Sequence, residues 1–180
     1  MIAFKGYIIY ERKYIMGHQL TRQDIEKMEQ EIEHRKLVER PRLIEDVKEA
    51  RAQGDLSENF EYYAAKKAKN INESRIRFLD RMIRTASVIE DEAGSDQVGV
   101  GDSVTVRYEE DGFEDTYMLV TTMGADSLNN MISIESPIGK ALRGKCVGDK
   151  VKVSLAKNDE FFVTIISVKK GDGEYKLNKF

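Results

Sequence analysis

Two carboxylates near the middle of the first half of the chain are the residues best suited to chemistry. Asp55 and Glu58 stand three residues apart in a short polar run with Gly54 and Ser57. Mg²⁺ prefers oxygen ligands, keeps several waters and often takes only one or two protein carboxylates. The same spacing also suits a helix N-cap followed by an acidic residue at the third helical position. The pair therefore predicts either part of a Mg²⁺ site or a capping box, and spacing alone favours the cap.

Long helical patterns flank this polar run and must position it. Apolar residues recur at helical spacing both before and after it. Gly54 is a typical stop signal for the first helix, and Asp55 is a typical start signal for the second. We therefore expect an antiparallel coiled-coil hairpin over residues 18–90, with its tip at residues 54–59.

The first arm carries its own start signal and one interruption. Thr21 is a candidate N-cap, with Asp24 at the capping-box position. Pro41 lacks an amide proton and clashes with the preceding turn, so the helix should kink or restart near Arg40. The second arm should supply the other side of the seam through alternating three- and four-residue steps: Ala65, Ala68, Asn72, Ile76, Leu79, Ile83 and Ala86.

Positive charge is concentrated on the second arm. Between residues 62 and 84 the acidic residues are Glu73 and Asp80, whereas the basic ones are Lys66, Lys67, Lys69, Arg75, Arg77, Arg81 and Arg84. Such a run either contacts nucleic-acid phosphates or forms a solvated helix face, and the sequence leaves both open. The overall net charge of -3 argues against a protein that coats nucleic acid.

Composition narrows the class of protein. The 180 residues are 41% hydrophobic and 34% charged, enough for one or two small domains. No apolar run approaches the ~20 residues of a membrane span, and residues 1–17 lack a signal-peptide core, so we expect a cytoplasmic protein. Cys146 is the only cysteine, which excludes an internal disulfide and a cysteine-ligated zinc site. His18 and His34 are too few and too dispersed for a metal cluster.

The second half reads as a small β-rich domain over residues 100–168. Residues 91–99 are acidic and glycine-containing without evident apolar anchors, which predicts a linker, and residues 169–180 form a tail without an evident partner. Ser136 and Pro137 should open one short helix that ends at Gly144. The predicted strands lie at residues 100–108, 113–122, 131–135, 150–155 and 161–168. The fold class is therefore α+β, with the helical hairpin followed by a small antiparallel β-sheet domain with one short helix.

Two separate motifs resemble the bacterial Gre transcript cleavage factors. One runs from Ala50 to Asn59 and continues with Glu61 and Tyr62; the other comprises residues 132–134, 136–142, 144–145 and 147–149. The resemblance covers about residues 20–168. Leu56 and residues 63–66 look more like GreA than GreB.

This resemblance implies a transcription elongation factor whose coiled coil enters the secondary channel of RNA polymerase. It also implies that the second domain has the fold of FK506-binding proteins and docks at the channel mouth. Asp55 and Glu58 would help to hold the polymerase's second Mg²⁺, so that the polymerase cleaves the 3′ end of a backtracked RNA. The polymerase supplies the active site, and the chain itself would not be an enzyme.

The implied partners are bacterial RNA polymerase and the 3′ end of the nascent RNA, with no membrane, and we expect a monomer. Mg²⁺ would be shared with the polymerase and not held tightly by the chain alone. Candidate RNA-contacting residues are Arg51, Lys66, Lys67 and Lys69. Candidate polymerase-docking residues are Ser136, Pro137, Ile138 and Gly139.

Two other functions fit parts of the pattern. A channel-binding inhibitor of RNA polymerase would need the same arm without stimulating cleavage, and retention of both tip carboxylates favours cleavage. A prolyl isomerase is disfavoured because the chain has no tryptophan. Residues 1–17 have no counterpart in the family pattern and form an extension whose role the sequence does not indicate; we expect it to be dispensable.

Overall fold

The first half of the chain folds as a long helical hairpin. One side comprises α1 (Arg22–His34), a π-helical turn (Arg35–Glu39) and α2 (Arg40–Ala52). The other side is the single helix α3 (Phe60–Thr85), which runs back along α2 and α1. This computed structural model describes residues 17–52, 59–90, 94, 96–156, 159–171 and 175–178. The predicted hairpin is confirmed, and residues 53–58 of its tip lie outside the described residues.

The start of α1 is fixed by the predicted capping box. Thr21 Oγ1 accepts a hydrogen bond from the Asp24 N–H at 3.1 Å, and Asp24 Oδ2 accepts one from the Thr21 N–H at 3.0 Å. Each side chain thus satisfies a backbone donor that the first helical turn would leave unpaired.

The predicted irregularity near Arg40 is present as a widened turn. Pro41 has no N–H to donate to the carbonyl four residues before it. The Arg40 N–H donates to the carbonyl of Arg35, five residues back, so that the helix continues through a π-helical turn. The proline is thereby accommodated without ending the arm.

The seam between the arms is apolar near the base and partly polar in the middle. Met28, Leu43 and Ala50 are buried on the first side, and Ile76 and Leu79 on the second, as the spacing predicts. Each large buried side chain contributes roughly 1.5–3 kcal/mol to stability. The predicted seam residues Ile83 and Ala86 are only half-buried, and Met82 takes the buried position instead.

A charged cluster crosses the middle of the seam. The buried Arg75 donates from Nε and Nη2 to the two carboxylate oxygens of Glu31 at 2.9 and 3.0 Å. Arg35 also donates to Glu31, at 2.7 Å, and to Asn72 Oδ1 at 3.1 Å. Burial pushes the pKa of Glu31 upward, but the hydrogen bonds and charges of the two arginines outweigh it and hold that pKa below its usual value. The cluster therefore fixes the register of α1 relative to α3.

The second half forms a five-stranded sheet with one short helix, α4 (Pro137–Leu142). Its strands are β3 Ser103–Tyr108, β4 Glu114–Val120, β5 Met131–Ser133, β6 Lys150–Ala156 and β7 Asp159–Lys169. Their spatial order is β5-β4-β3-β7-β6. All five predicted strands are found, with ends that differ by a few residues.

One pair of strands departs from the expected antiparallel arrangement. β5 runs parallel to β4, with Leu119 opposite Ile132, whereas the other three pairs are antiparallel. After β4 the chain passes through a loop with a short 3₁₀ turn (Ser127–Asn129) and returns in the same direction. Because this connection is longer than a hairpin turn, parallel pairing is possible, and the sheet is mixed.

The core of this domain lies between the sheet and α4. Leu142 of α4 is fully buried there against the alternating inward residues of the strands. The buried core comprises Val98, Val100, Val104, Val106, Leu119, Ile134, Leu142, Val151, Val153, Val163 and Ile165. Among the described residues no helix is long and apolar enough to cross a membrane.

The hairpin leaves and rejoins the rest of the chain at one place. β1 (Gln19–Leu20) pairs in parallel with β2 (Ser87–Val88), just before α1 and just after α3. Glu135, next to α4, accepts from the Gln19 N–H at 2.8 Å, and Arg143 donates to Gln19 Oε1 at 2.7 Å. These bonds join the base of the arm to the sheet domain.

The described residues of the connecting segments differ from two expectations. Val98, within the predicted linker, is fully buried in the sheet core, and its N–H and C=O pair with Lys145 and Gly144. The tail does have partners: Tyr175 is 9% exposed, and the Asn178 N–H donates to the Met123 carbonyl at 2.7 Å. The sequence reading missed both because neither segment shows a helical or strand period.

Candidate functional site

The two sides of the tip are held together by Asn59. Its Nδ2 donates to the Ala50 carbonyl at 2.7 Å, across the hairpin. Its Oδ1 accepts from the Tyr62 N–H at 2.9 Å and so caps α3. This bond joins the described residues on the two sides of the segment that carries Asp55 and Glu58, and that segment itself lies outside the described residues.

This geometry corrects the capping interpretation of the tip. α3 begins at Phe60 with Asn59 as its N-cap, and the acidic residue of its first turn is Glu61. Asp55 is therefore not the N-cap of this helix, and Glu58 is not at its third position. The sequence favoured Asp55 because Asn59 and Asp55 are both good capping residues and spacing alone does not choose between them.

The donor set of the tip fits a hard cation. Asp55 and Glu58 offer carboxylate oxygens, which suit Mg²⁺ better than softer metals. Their own placement lies outside the described residues, as does that of Gly54, and they stay a prediction. What the described residues add is that α3 is capped without either carboxylate.

Lys66 and Lys67 lie on an outer surface of α3 near the tip. They share a shallow depression with Tyr63, Asn70 and Ile71, and we call this set the outer face of α3. Lys66 Nζ lies 5.8 Å from the centroid of the Tyr62 ring. Exposed basic and aromatic side chains thus stand side by side, an arrangement suited to nucleic-acid phosphates and bases.

Lys69 does not belong to this group. It is half-buried and lies beside Glu73, on the side of α3 that faces Arg40. Arg40 hydrogen-bonds to Glu73 and holds its pKa below the usual value, with a smaller contribution from the charge of Lys69. Arg51 is exposed in the last turn of α2. The structure therefore brings together two of the four predicted RNA-contacting residues.

The predicted docking residues at the start of α4 are mostly structural. Ser136 Oγ donates to the Ser133 carbonyl at 2.6 Å and accepts from the Gly139 N–H at 3.1 Å. Ile138 packs on the sheet core. Gly139 is buried, and a Cβ at this position would lie 2.1 Å from the Ser133 carbonyl oxygen. Pro137 is the exposed member of the four, so a partner would meet its ring first.

Contacts that the sequence did not predict complete the arm. Asn59 joins the tip, and Glu31, Arg35 and Arg75 stiffen the middle. Asn59 had a detectable signal, since an asparagine directly before a helical pattern is a frequent N-cap. The Glu31–Arg75 pair had none, because its members are far apart in sequence and both types are usually exposed.

Comparison with known proteins places both halves in one family. Residues 18–88 match the family model described as "Transcription elongation factor, N-terminal". Residues 93–170 match the model described as "Transcription elongation factor, GreA/GreB, C-term". The two matches follow each other in the chain and together cover most of it.

Individual relatives agree with the family models. The chain is 43% identical over 149 residues to transcription elongation factor GreA of Staphylococcus carnosus (strain TM300), covering 83% of this chain and 93% of that protein. It is 45% identical over 160 residues to GreA of Geobacillus kaustophilus (strain HTA426), covering 88% of this chain and 98% of that protein. A solved structure of GreA factor homolog 1 (Gfh1) of Thermus thermophilus is 25% identical, covers 86% of this chain and 99% of its own, and has a TM-score of 0.40. On the family models and the two sequence relatives, the chain belongs to the GreA/GreB family of transcription elongation factors.

Proposed function

We propose that this chain stimulates RNA polymerase to cleave the 3′ RNA of backtracked, arrested complexes. In this proposal the hairpin enters the secondary channel of the polymerase and presents Asp55 and Glu58 at the active site. The polymerase carries out the hydrolysis, and the chain contributes ligands without an active site of its own. Family membership and the retained carboxylate pair support this assignment.

The shape and stiffness of the arm support insertion into a channel. α3 is an uninterrupted helix of 26 residues, which corresponds to about 39 Å at ~1.5 Å per residue. The Arg75–Glu31 and Arg40–Glu73 pairs each form two hydrogen bonds across the hairpin. A stiff arm holds its tip at a fixed distance from its base, as delivery of a metal ligand requires.

The observation that carries the proposal is the capping of α3 by Asn59. Because Asn59 satisfies the Tyr62 N–H, neither tip carboxylate is needed to start the helix. In this proposal Asp55 and Glu58 act as metal ligands and do not cap α3. Together with ligands of the polymerase, the two carboxylates would hold a Mg²⁺ whose chemistry would be to activate water and offset charge on the phosphate. The role of the two carboxylates is to add negatively charged oxygen ligands to those that the polymerase provides.

The outer face of α3 and the start of α4 supply the remaining contacts in this proposal. Lys66 and Lys67 would meet the phosphates of the extruded RNA, since they are exposed near the tip. Pro137 would contact the polymerase near the channel mouth. The chain would act as a monomer in the cytoplasm, where the polymerase is located.

The decisive experiment separates binding from chemistry. Asp55→Asn and Glu58→Gln keep the shape of each side chain and remove the charge that attracts Mg²⁺. Glu49→Gln is the matched control, because Glu49 is exposed on α2 close to the tip. Backtracked elongation complexes with Mg²⁺ should release 3′ RNA fragments with the parent chain and with Glu49→Gln. Release should fall sharply with Asp55→Asn and with Glu58→Gln, while polymerase binding persists.

Two outcomes would contradict the proposal. A parent chain that binds the polymerase and never stimulates cleavage would instead be a channel-binding inhibitor. Variants that cleave as well as the parent would remove Asp55 and Glu58 from the metal site.

A further inference from the structure

The segment 175–178 passes between the arm and the sheet domain and contacts both. It lies beyond residue 170, where the match to the C-terminal family model ends. Tyr175 is the centre of this segment: its side chain is 9% exposed, although it lies close to the end of the chain. Burial raises the pKa of Tyr175 to about 12.

On the arm side, Tyr175 contacts α1 at two points. Its hydroxyl oxygen lies 3.1 Å from Asp24 Oδ2, the oxygen that also accepts from the Thr21 N–H. Lys27 Nζ donates to the Tyr175 carbonyl at 3.0 Å and lies 5.1 Å from the centroid of its ring. The first two turns of α1 are therefore bound by Tyr175, the first through its side chain and the second through its backbone carbonyl.

On the sheet side, the same residue contacts the loop after β4. The hydroxyl lies 3.2 Å from Thr121 Oγ1, and Thr121 is fully buried. The ring covers Gly124 so closely that a Cβ at Gly124 would lie 2.2 Å from Tyr175 Cδ2. Asn178 bonds the Met123 carbonyl, and Leu177 packs in the cluster of the arm base that also contains Met123.

A second attachment point matters because the first one is small. The paired strands at the arm base are two residues each, and their bonds to the sheet domain are those of His18 and Gln19 with Glu135 and of Gln19 with Arg143. Met123 of the sheet domain also shares a small buried cluster with Leu20 and Met28 of the arm. This interface is small, and small contacts between domains permit relative motion. Tyr175 joins the domains at a different place, on Asp24 and Thr121.

We propose that Tyr175 is a positioning residue that fixes the direction of the arm relative to the sheet domain. With the segment in place, the arm has two attachment points and one orientation. Without it, the arm pivots at its base. The consequence for the tip rests on the proposed function, since the direction of the arm sets where Asp55 and Glu58 arrive.

The direct test is a distance measurement in the free protein. Spin labels would be placed through Glu33→Cys on α1 and Leu128→Cys on the sheet domain, both at exposed sites, in a Cys146→Ser background. Pulsed electron paramagnetic resonance should give one narrow distance distribution for the parent chain. Shortening the chain to end at Gly171 should broaden that distribution about twofold or shift its mean.

Glycine substitutions provide a matched pair for the same measurement. The methyl group of Gly124→Ala would occupy the space of the Tyr175 ring. At Gly94 an added Cβ has room, since the nearest atom is 3.8 Å away. Gly124→Ala should broaden the distribution as shortening does, and Gly94→Ala should leave it narrow. If Gly124→Ala fails to fold by circular dichroism, the shortened chain decides. An equally narrow distribution in the shortened chain would overturn the proposal.

A cleavage assay separates orientation from simple stability. In folded Tyr175→Phe and in the shortened chain, the concentration for half-maximal cleavage should rise, while the rate at saturation stays that of the parent. The distance measurement needs no polymerase, so it can fail while transcript cleavage stands. Conversely, absence of cleavage by the parent chain would overturn the proposed function and leave the orientation result intact.

Discussion

Arg75 and Glu31 face each other across the hairpin in a two-pronged ion pair, with donor–acceptor distances of 2.9 and 3.0 Å. The side chain of Arg75 is 6% exposed and that of Glu31 is 24% exposed. Removing the carboxylate leaves a buried guanidinium without its main counter-charge, which is more costly than losing an exposed pair. The pair therefore fixes α1 and α3 against each other in the middle of the arm.

Glu31→Ala should lower the free energy of unfolding by about 2–3 kcal/mol, because the remaining arginine stays buried. Glu73→Ala is the control, since its partner Arg40 is more exposed, and it should cost only about 0.5–1 kcal/mol. Urea denaturation of the two variants checks the difference. Equal losses would show that burial of Arg75 does not set the cost.

Acid should weaken the arm through the same carboxylate. The pKa of Glu31 in the folded chain is below that of the unfolded chain, so its contribution is present above about pH 4.5 and is lost as pH falls through the folded pKa. The stability gap between the parent chain and Glu31→Gln should therefore shrink as pH falls below about 4.5. Denaturation at a series of pH values measures it. A gap that stays constant down to acid unfolding would contradict this assignment.

The tip should depend on Asn59. Asn59→Ala removes the cap of α3 and the bond to the Ala50 carbonyl, at an expected cost of about 1–2 kcal/mol. Asn59→Asp keeps an acceptor for the Tyr62 N–H and loses only the cross-hairpin donor, so it should cost less. Hydrogen exchange of the first turn of α3 is the local readout. Unchanged exchange in Asn59→Ala would mean that another residue caps the helix.

Gly139 should tolerate no side chain. The Cβ of Gly139→Ala would meet the Ser133 carbonyl at 2.1 Å, and the backbone must shift, at about 1–3 kcal/mol. The neighbouring Lys140 is exposed, and Lys140→Ala should stay within about 0.5 kcal/mol of the parent. Thermal denaturation compares the two. If Gly139→Ala were as stable as the parent, Gly139 would not be required for packing, and its place in a direct contact with a partner would be supported.

The outer face of α3 should govern the salt dependence of RNA engagement. Neutralising Lys66 and Lys67 together removes two phosphate contacts and should reduce the logarithmic salt slope by about 1–2. Lys69→Gln should leave the slope unchanged, because Lys69 lies beside Glu73. Binding to long backtracked transcripts at several salt concentrations provides the slope. Equal slopes in both variants and the parent would assign the lysines to a solvated face.

Local signals made much of this fold predictable. Thr21 and Ser136 each cap a helix by accepting from the N–H three residues later in the chain. Pro41 changes the hydrogen bonding of the helical turn directly before it. Such features depend on a few adjacent residues and can therefore be read from the sequence.

The remainder depends on partners that are distant in the chain. Arg75 is buried because Glu31 is opposite, and Tyr175 is buried because Asp24 and Thr121 are close to its hydroxyl. Neither belongs to a periodic apolar pattern. At the candidate site, Asn59 caps α3 while its side chain also bonds the Ala50 carbonyl across the hairpin, a partner nine residues away.

The pairing of Gln19–Leu20 with Ser87–Val88 closes the arm at its base. Paired strands lie about 4.8 Å apart, so the two ends of the hairpin stay side by side whatever the length of the helices between them. We therefore expect that matched turns can be added to or removed from both sides of the hairpin while the junction remains unchanged.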